Sequence, residues 1–141
     1  MPASPEPGLD RETETQPAGI GLAIAAEALY LANLLVIPVI AFLILGALFL
    51  RRDRDTPPLA AAHIEQTFAA SLWAGILLVI VNGVIILAGG YHSPWVWVIV
   101  GVYFTTCHSA LVILGILGLA KAMAGQGFHF PVVGTFRCDV C

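Results

Sequence analysis

From Gln66 to Ala120 the chain carries no Asp, Glu, Lys or Arg, a run of 55 residues. As one helix it would extend about 80 Å, far beyond the roughly 30 Å of a bilayer hydrocarbon core. The run must therefore fold back on itself. The stretch "AGGYHSPW" supplies the turn, with paired glycines, Ser-Pro, and flanking aromatics of the kind that collect at membrane interfaces. A second uncharged run of 23 residues lies between Glu27 and Arg51. At about 34 Å of helix it is long enough to span, with Pro38 as a mid-span kink. Only 11% of the 141 residues are charged, against about 25% in soluble domains, so the class is membrane.

These runs predict an all-α membrane protein with three transmembrane helices at about 22–50, 60–88 and 95–123. They form one domain over 21–124, between a tail at 1–20 and a C-terminal tail at 125–141. The acidic, Pro-rich start lacks the basic region of a cleavable signal peptide and reads as disordered. Arg51, Arg52 and Arg54 mark the first loop as cytoplasmic, and Lys121 and Arg137 place the C-terminus on the same side. Three spans then put the N-terminus outside. The expected topology is N-out, C-in, in the inner membrane of a bacterium. No basic arm or patch suggests nucleic acid.

Polar side chains within the spans mark helix contacts, because they are costly against lipid. In the second helix Thr67, Ser71, Gly75 and Asn82 fall on one face. In the third, Gly101, Thr105, His108, Gly115 and Ala122 do the same. These two stripes predict a tight hairpin, touching along Ser71–Gly75 and His108–Gly115. A leucine at Gly75 should then hold the helices apart. Asn33 and Asn82 both fall roughly 8–9 Å inside the outer boundary. They read as a carboxamide pair, or alternatively as an ion or substrate site. Glu27 reads as a flanking acid that snorkels to water.

His108 is the deepest titratable group, and it reads three ways: a packing histidine, a proton relay, or a haem or metal ligand. No second histidine lies at its depth. His63 and Gln66 stand at the cytoplasmic mouth of helix two, where His63 and Thr67 are i,i+4 neighbours. Cys138 and Cys141 form C-x-x-C without the histidine that a c-type haem requires. With His129 they offer three of the four ligands of a structural zinc site, so the readings are free thiols or a metal shared with a partner. Cys107 lies in an apolar run.

The third helix ends "LAKAMAGQGFHFP". Lys121 snorkels to the interface, Gly125 and Gly127 stop the helix, Phe128 and Phe130 alternate with His129, and Pro131 prevents its resumption. This tail and the segment "PPLAAAHIEQTFAASLWAG" resemble a widespread family of small bacterial three-helix membrane proteins. That family is distantly similar to the twenty-kilodalton channel-like subunit of the chloroplast inner-envelope translocon. Its members carry a His and a Gln or Asn where helix two begins, and a Lys-Ala…Gly…aromatic…Pro close. The resemblance covers about 25–134 and implies three-helix topology rather than any catalytic residue.

The expected function is that of a non-enzymatic structural or accessory component, partnered by lipid and by itself or a larger complex. The alternatives are a small channel, carrier or proton-conducting element using Asn33, Asn82 and His108, and a redox accessory subunit holding haem or metal. No cofactor is expected under the leading reading.

Overall fold

The computed structural model describes residues 17–128 and contains no strand among them. Its helices are α1 (Ile20–Leu35), α2 (Pro38–Leu50), α3 (Pro58–Gly75), α4 (Val81–Gly89) and α5 (Pro94–Met123). A π turn at Ile76–Ile80 joins α3 to α4, so Pro58–Gly89 is one continuous helix. That helix and α5 are each long and apolar enough to cross a membrane.

The first apolar run departs from the sequence expectation. It does not kink at Pro38; it reverses there. Val36 and Ile37 leave the helical region, at φ −128°, ψ −57° and φ −135°, ψ 71°. The proline ring disfavours helix in the residue before it, and Pro38 becomes the first residue of α2, where its missing N–H costs nothing. Both Val36 and Ile37 donate their N–H to the Ala32 carbonyl, at 3.0 and 2.9 Å, which closes the end of α1. Two residues then suffice for a tight helical hairpin. Ala26 of α1, Leu45 of α2 and Ile64 of α3 meet in one buried cluster, which a continuous helix would prevent. Phe68 of α3 stacks between Phe42 and Phe49 of α2, with ring centroids 5.7 and 4.5 Å apart.

The reversal also brings the two ends of the described chain to the same end of the bundle, where three successive helices would separate them. A Cβ on Gly19 would lie 2.7 Å from Pro57 and 3.1 Å from Ala60, and one on Gly125 would lie 2.8 Å from Pro17. The start of α1, the first loop and the end of α5 therefore share one end, here termed basal. Arg51, Arg52, Arg54 and Lys121 all belong to it, and Arg52 bonds Glu65 at 2.9 Å. The opposite, distal end carries Tyr91, Trp95 and Trp97, where the Trp97 indole donates to the Tyr91 carbonyl at 2.9 Å.

The expected tight contact between helices two and three is also displaced. From the basal end to mid-height α1 lies between α3 and α5, parallel to the first and antiparallel to the second. Tyr30 and Leu31 fill the space over Gly115, and Glu27 the space over Gly118. Gly75 has nothing within 4 Å of a Cβ position. The long helices meet most closely at the distal end, where Gly89 faces Val96. The small residues on α5 do mediate close packing, but against the hairpin that the sequence reading had taken for a separate span.

Candidate functional site

The basal core is built around a buried acid–imidazole pair. Glu27 sits two turns into α1 and His63 in the second turn of α3; both side chains are at most 1% exposed. Their contact, Glu27 Oε1 to His63 Nδ1, is 2.7 Å. The other ring nitrogen, Nε2, donates to the Gln126 carbonyl at 3.0 Å. A carbonyl can only accept, so Nε2 carries a proton. The remaining shared proton lies either on the imidazole, giving an imidazolium–carboxylate pair, or on Glu27. Both arrangements are neutral overall, which suits a site closed to water.

The end of α5 places that carbonyl. Gly125, at φ +67°, adopts the left-handed conformation that a glycine allows. Gln126 N–H reaches back to the Lys121 carbonyl at 2.9 Å and Gly125 N–H to Ala122 at 3.0 Å, the paired bonds of a Schellman stop. Lys121 adds a side-chain bond to Gln126 Oε1 at 2.9 Å. The Gly125 stop read from the sequence thus turns the chain over His63. One turn above the pair, the Tyr30 hydroxyl donates to the Leu111 carbonyl at 3.3 Å, and Phe128 packs against the Tyr30–Ala70 cluster. Thr67 does not bridge to the His63 side chain; its hydroxyl donates to the backbone carbonyls of His63 and Ile64. Gln66 is 5% exposed, and its Nε2 finds no partner.

Glu27 is the residue that sequence reasoning missed. It was expected to reach water, and it is fully buried instead. The available signal was a lone acid three residues before a tyrosine on one helix face, together with a proline able to turn the first run back toward His63.

A second feature lies at mid-height, beyond the tip of the α1–α2 hairpin. A cavity of about 450 Å³ opens there between the hairpin and the two long helices. Asn33, Ser71 and His108 are its polar lining; Pro38, Phe42 and Phe104 are among its apolar walls. Ser71 is 3% exposed, and its hydroxyl has no hydrogen-bond partner. His108 Nδ1 is likewise buried and unpartnered, while the ring stacks on Phe104 at 5.4 Å. Gly75 and the π turn form the wall opposite the tip, through Leu78 and Val79. π turns inside α-helices recur at functional sites.

The structure separates the expected polar contacts. Asn33 and Asn82 do not pair. Reversal at Pro38 leaves Asn33 at mid-height, while Asn82 donates to the Leu78 carbonyl of its own helix at 2.8 Å. Thr105 is exposed, and Gly101 has nothing within 4 Å of a Cβ position. Among the described residues no three of His, Cys, Asp and Glu gather where a metal ion could be held. His129, Phe130, Pro131, Cys138 and Cys141 lie outside the described residues. No protein-family model, curated protein or solved structure matches the chain.

Proposed function

We propose that this is a non-enzymatic bacterial inner-membrane protein that self-associates through the distal half of α5. Two helices cross the bilayer in this reading, and the α1–α2 hairpin enters and leaves from the basal side. Four basic residues at the basal end favour the cytoplasm for that side, and the aromatic distal end favours the opposite interface.

The observation that carries self-association is a stripe on α5 that the fold covers only halfway. Gly115 and Gly118 pack against α1 and Ala122 is buried, but α1 ends at mid-height. Gly101 and Thr105, on the same expected face, are left exposed, as is Ser109 one turn further along the helix. Small residues four apart let helix backbones approach closely in lipid, where van der Waals packing and hydroxyl bonds drive association. The non-enzymatic reading rests on the basal pair. Glu27 and His63 are sealed under Gly118 and Gln126 and offer no face to a substrate.

In a background with Cys107, Cys138 and Cys141 replaced by serine, Thr105→Cys should form a disulfide-linked dimer in membranes. Gly101→Leu should abolish it and yield a monomer by native mass spectrometry. A wild-type chain that is monomeric in lipid would refute self-association. For topology, cysteines introduced at Ala18 and Gly127 should react with an impermeant thiol reagent from the same side. Labelling from opposite sides would refute the re-entrant hairpin.

A further inference from the structure

We infer that the mid-height cavity is a binding site for an uncharged, lipid-soluble molecule with a single hydroxyl or carbonyl head, entering sideways from the bilayer. The inference rests on the membrane reading above and names a ligand site within it.

Three observations define the ligand. The size comes first: about 450 Å³ falls within the roughly 300–1,000 Å³ of small-molecule sites. Polarity comes next. The walls are apolar apart from Asn33, Ser71 and His108, and no Asp, Glu, Lys or Arg lines the space. A charged ligand would have no counter-ion there, so the occupant is neutral. The third observation is unfilled bonding. A buried hydroxyl normally has a partner, yet Ser71, at 3% exposure, has none, and neither does His108 Nδ1. Leaving such groups unpaired in an apolar interior is costly. A hydroxyl or carbonyl head at the polar part of this wall offers them a partner, and an alkyl body suits the volume.

The route of entry follows from exposure. Val39 and Val79 line the cavity and are 69% and 66% exposed, so its mouth lies on the flank of the bundle rather than at either end. On that flank the surrounding medium is lipid in the membrane reading. An alkyl chain fits the apolar walls formed by Phe42 and Phe104, while the head meets Ser71 and His108.

Gly75 gives the test a clean variant. It lines the cavity, and a Cβ there meets nothing within 4 Å. Gly75→Leu therefore starts into open space, and its added carbons take up cavity volume. Full-length protein in phosphatidylcholine nanodiscs would be photolabelled with a decanol carrying a diazirine in its chain, and the labelled residues mapped by mass spectrometry. Label should concentrate within 71–79 and 104–108, and excess decanol should compete while decane does not. Ser71→Ala and His108→Leu should each reduce labelling about fivefold, the loss of one ordinary hydrogen bond. Gly75→Leu should remove it without lowering thermal melting. Equal competition by decane, or label spread evenly along the outward faces and unchanged in Gly75→Leu, would overturn the site. So would a second copy of the chain crosslinked into the cavity in place of the probe. A chain that fails to enter nanodiscs would instead overturn the membrane reading beneath it.

Discussion

Five residues separate Glu27 from Asn33 on α1, and the two stand in different circumstances. Around Glu27 the packing is close, although its Oε2 makes no hydrogen bond. A Cβ on Gly118 would lie 2.6–2.9 Å from its carboxylate atoms, and His63 is hydrogen-bonded to it. Around Asn33 the helices part, and two polar groups in the cavity wall, on Ser71 and His108, go without partners. The difference lies less in α1 than in what faces it. Basally α5 presents Gly115 and Gly118, which admit α1 against its backbone. At mid-height it presents Phe104 and His108, and α1 is already ending at Val36. Small residues in the partner and the length of the hairpin together decide where this molecule is solid and where it is hollow.

Removing one member of the basal pair should break that contrast most severely. His63→Leu leaves the Glu27 carboxyl buried without its imidazole, and breaking such a pair costs about 3–5 kcal/mol. Melting in detergent should fall steeply, and replacing Glu27 by Met in the same chain should restore most of the loss. A single variant that melts like the wild type would show that water reaches Glu27. Gly118→Ala comes next. Its methyl must displace the Glu27 carboxyl or push α5 away, at about 1–3 kcal/mol for overpacking. Tyr30→Phe keeps the packing but deletes the donor to Leu111, so its loss should be about 1 kcal/mol in the same melts.

The two long helices were legible because composition decides them: a run of 55 uncharged residues with one glycine-rich turn has few other solutions. The Gly125 stop was legible for a similar local reason. The α1–α2 hairpin was not, since a proline within an apolar run is compatible with either a kink or a reversal. Local sequence does not choose between them; the tertiary contacts of Ala26 with Leu45 and Ile64 do. One wrong choice at Pro38 then carried through. It turned Glu27 toward water, set Asn33 level with Asn82, and assigned the face of Gly115 to the wrong partner. His63 was singled out by position, but its partner could not be named while α1 pointed the other way. Ser71 and His108 were recognised as polar groups inside the spans, and the structure assigns them a cavity rather than each other.

Gly75 tests the comparison at its quietest point. The hairpin reading of the sequence puts Gly75 in a helix contact, where leucine would force the backbones apart. The structure implies the opposite sign. Nothing stands within 4 Å of a Cβ there, and the residue faces open space beside the π turn. Leucine in place of glycine within a helix also removes an unfavourable backbone entropy of about 0.8–1 kcal/mol. Gly75→Leu should therefore leave melting unchanged or raise it by up to about 1 kcal/mol. The same substitution at Gly118, against the Glu27 carboxyl, should destabilise the bundle more than Gly118→Ala does. Both variants put leucine at a helix glycine in an apolar chain, so helix propensity and bulk hydrophobicity cancel between them. What remains is the space each position faces. If Gly75→Leu proved as damaging as Gly118→Leu, the helices would have to close over the cavity in the folded protein, and the solid base and hollow middle would be one continuous core.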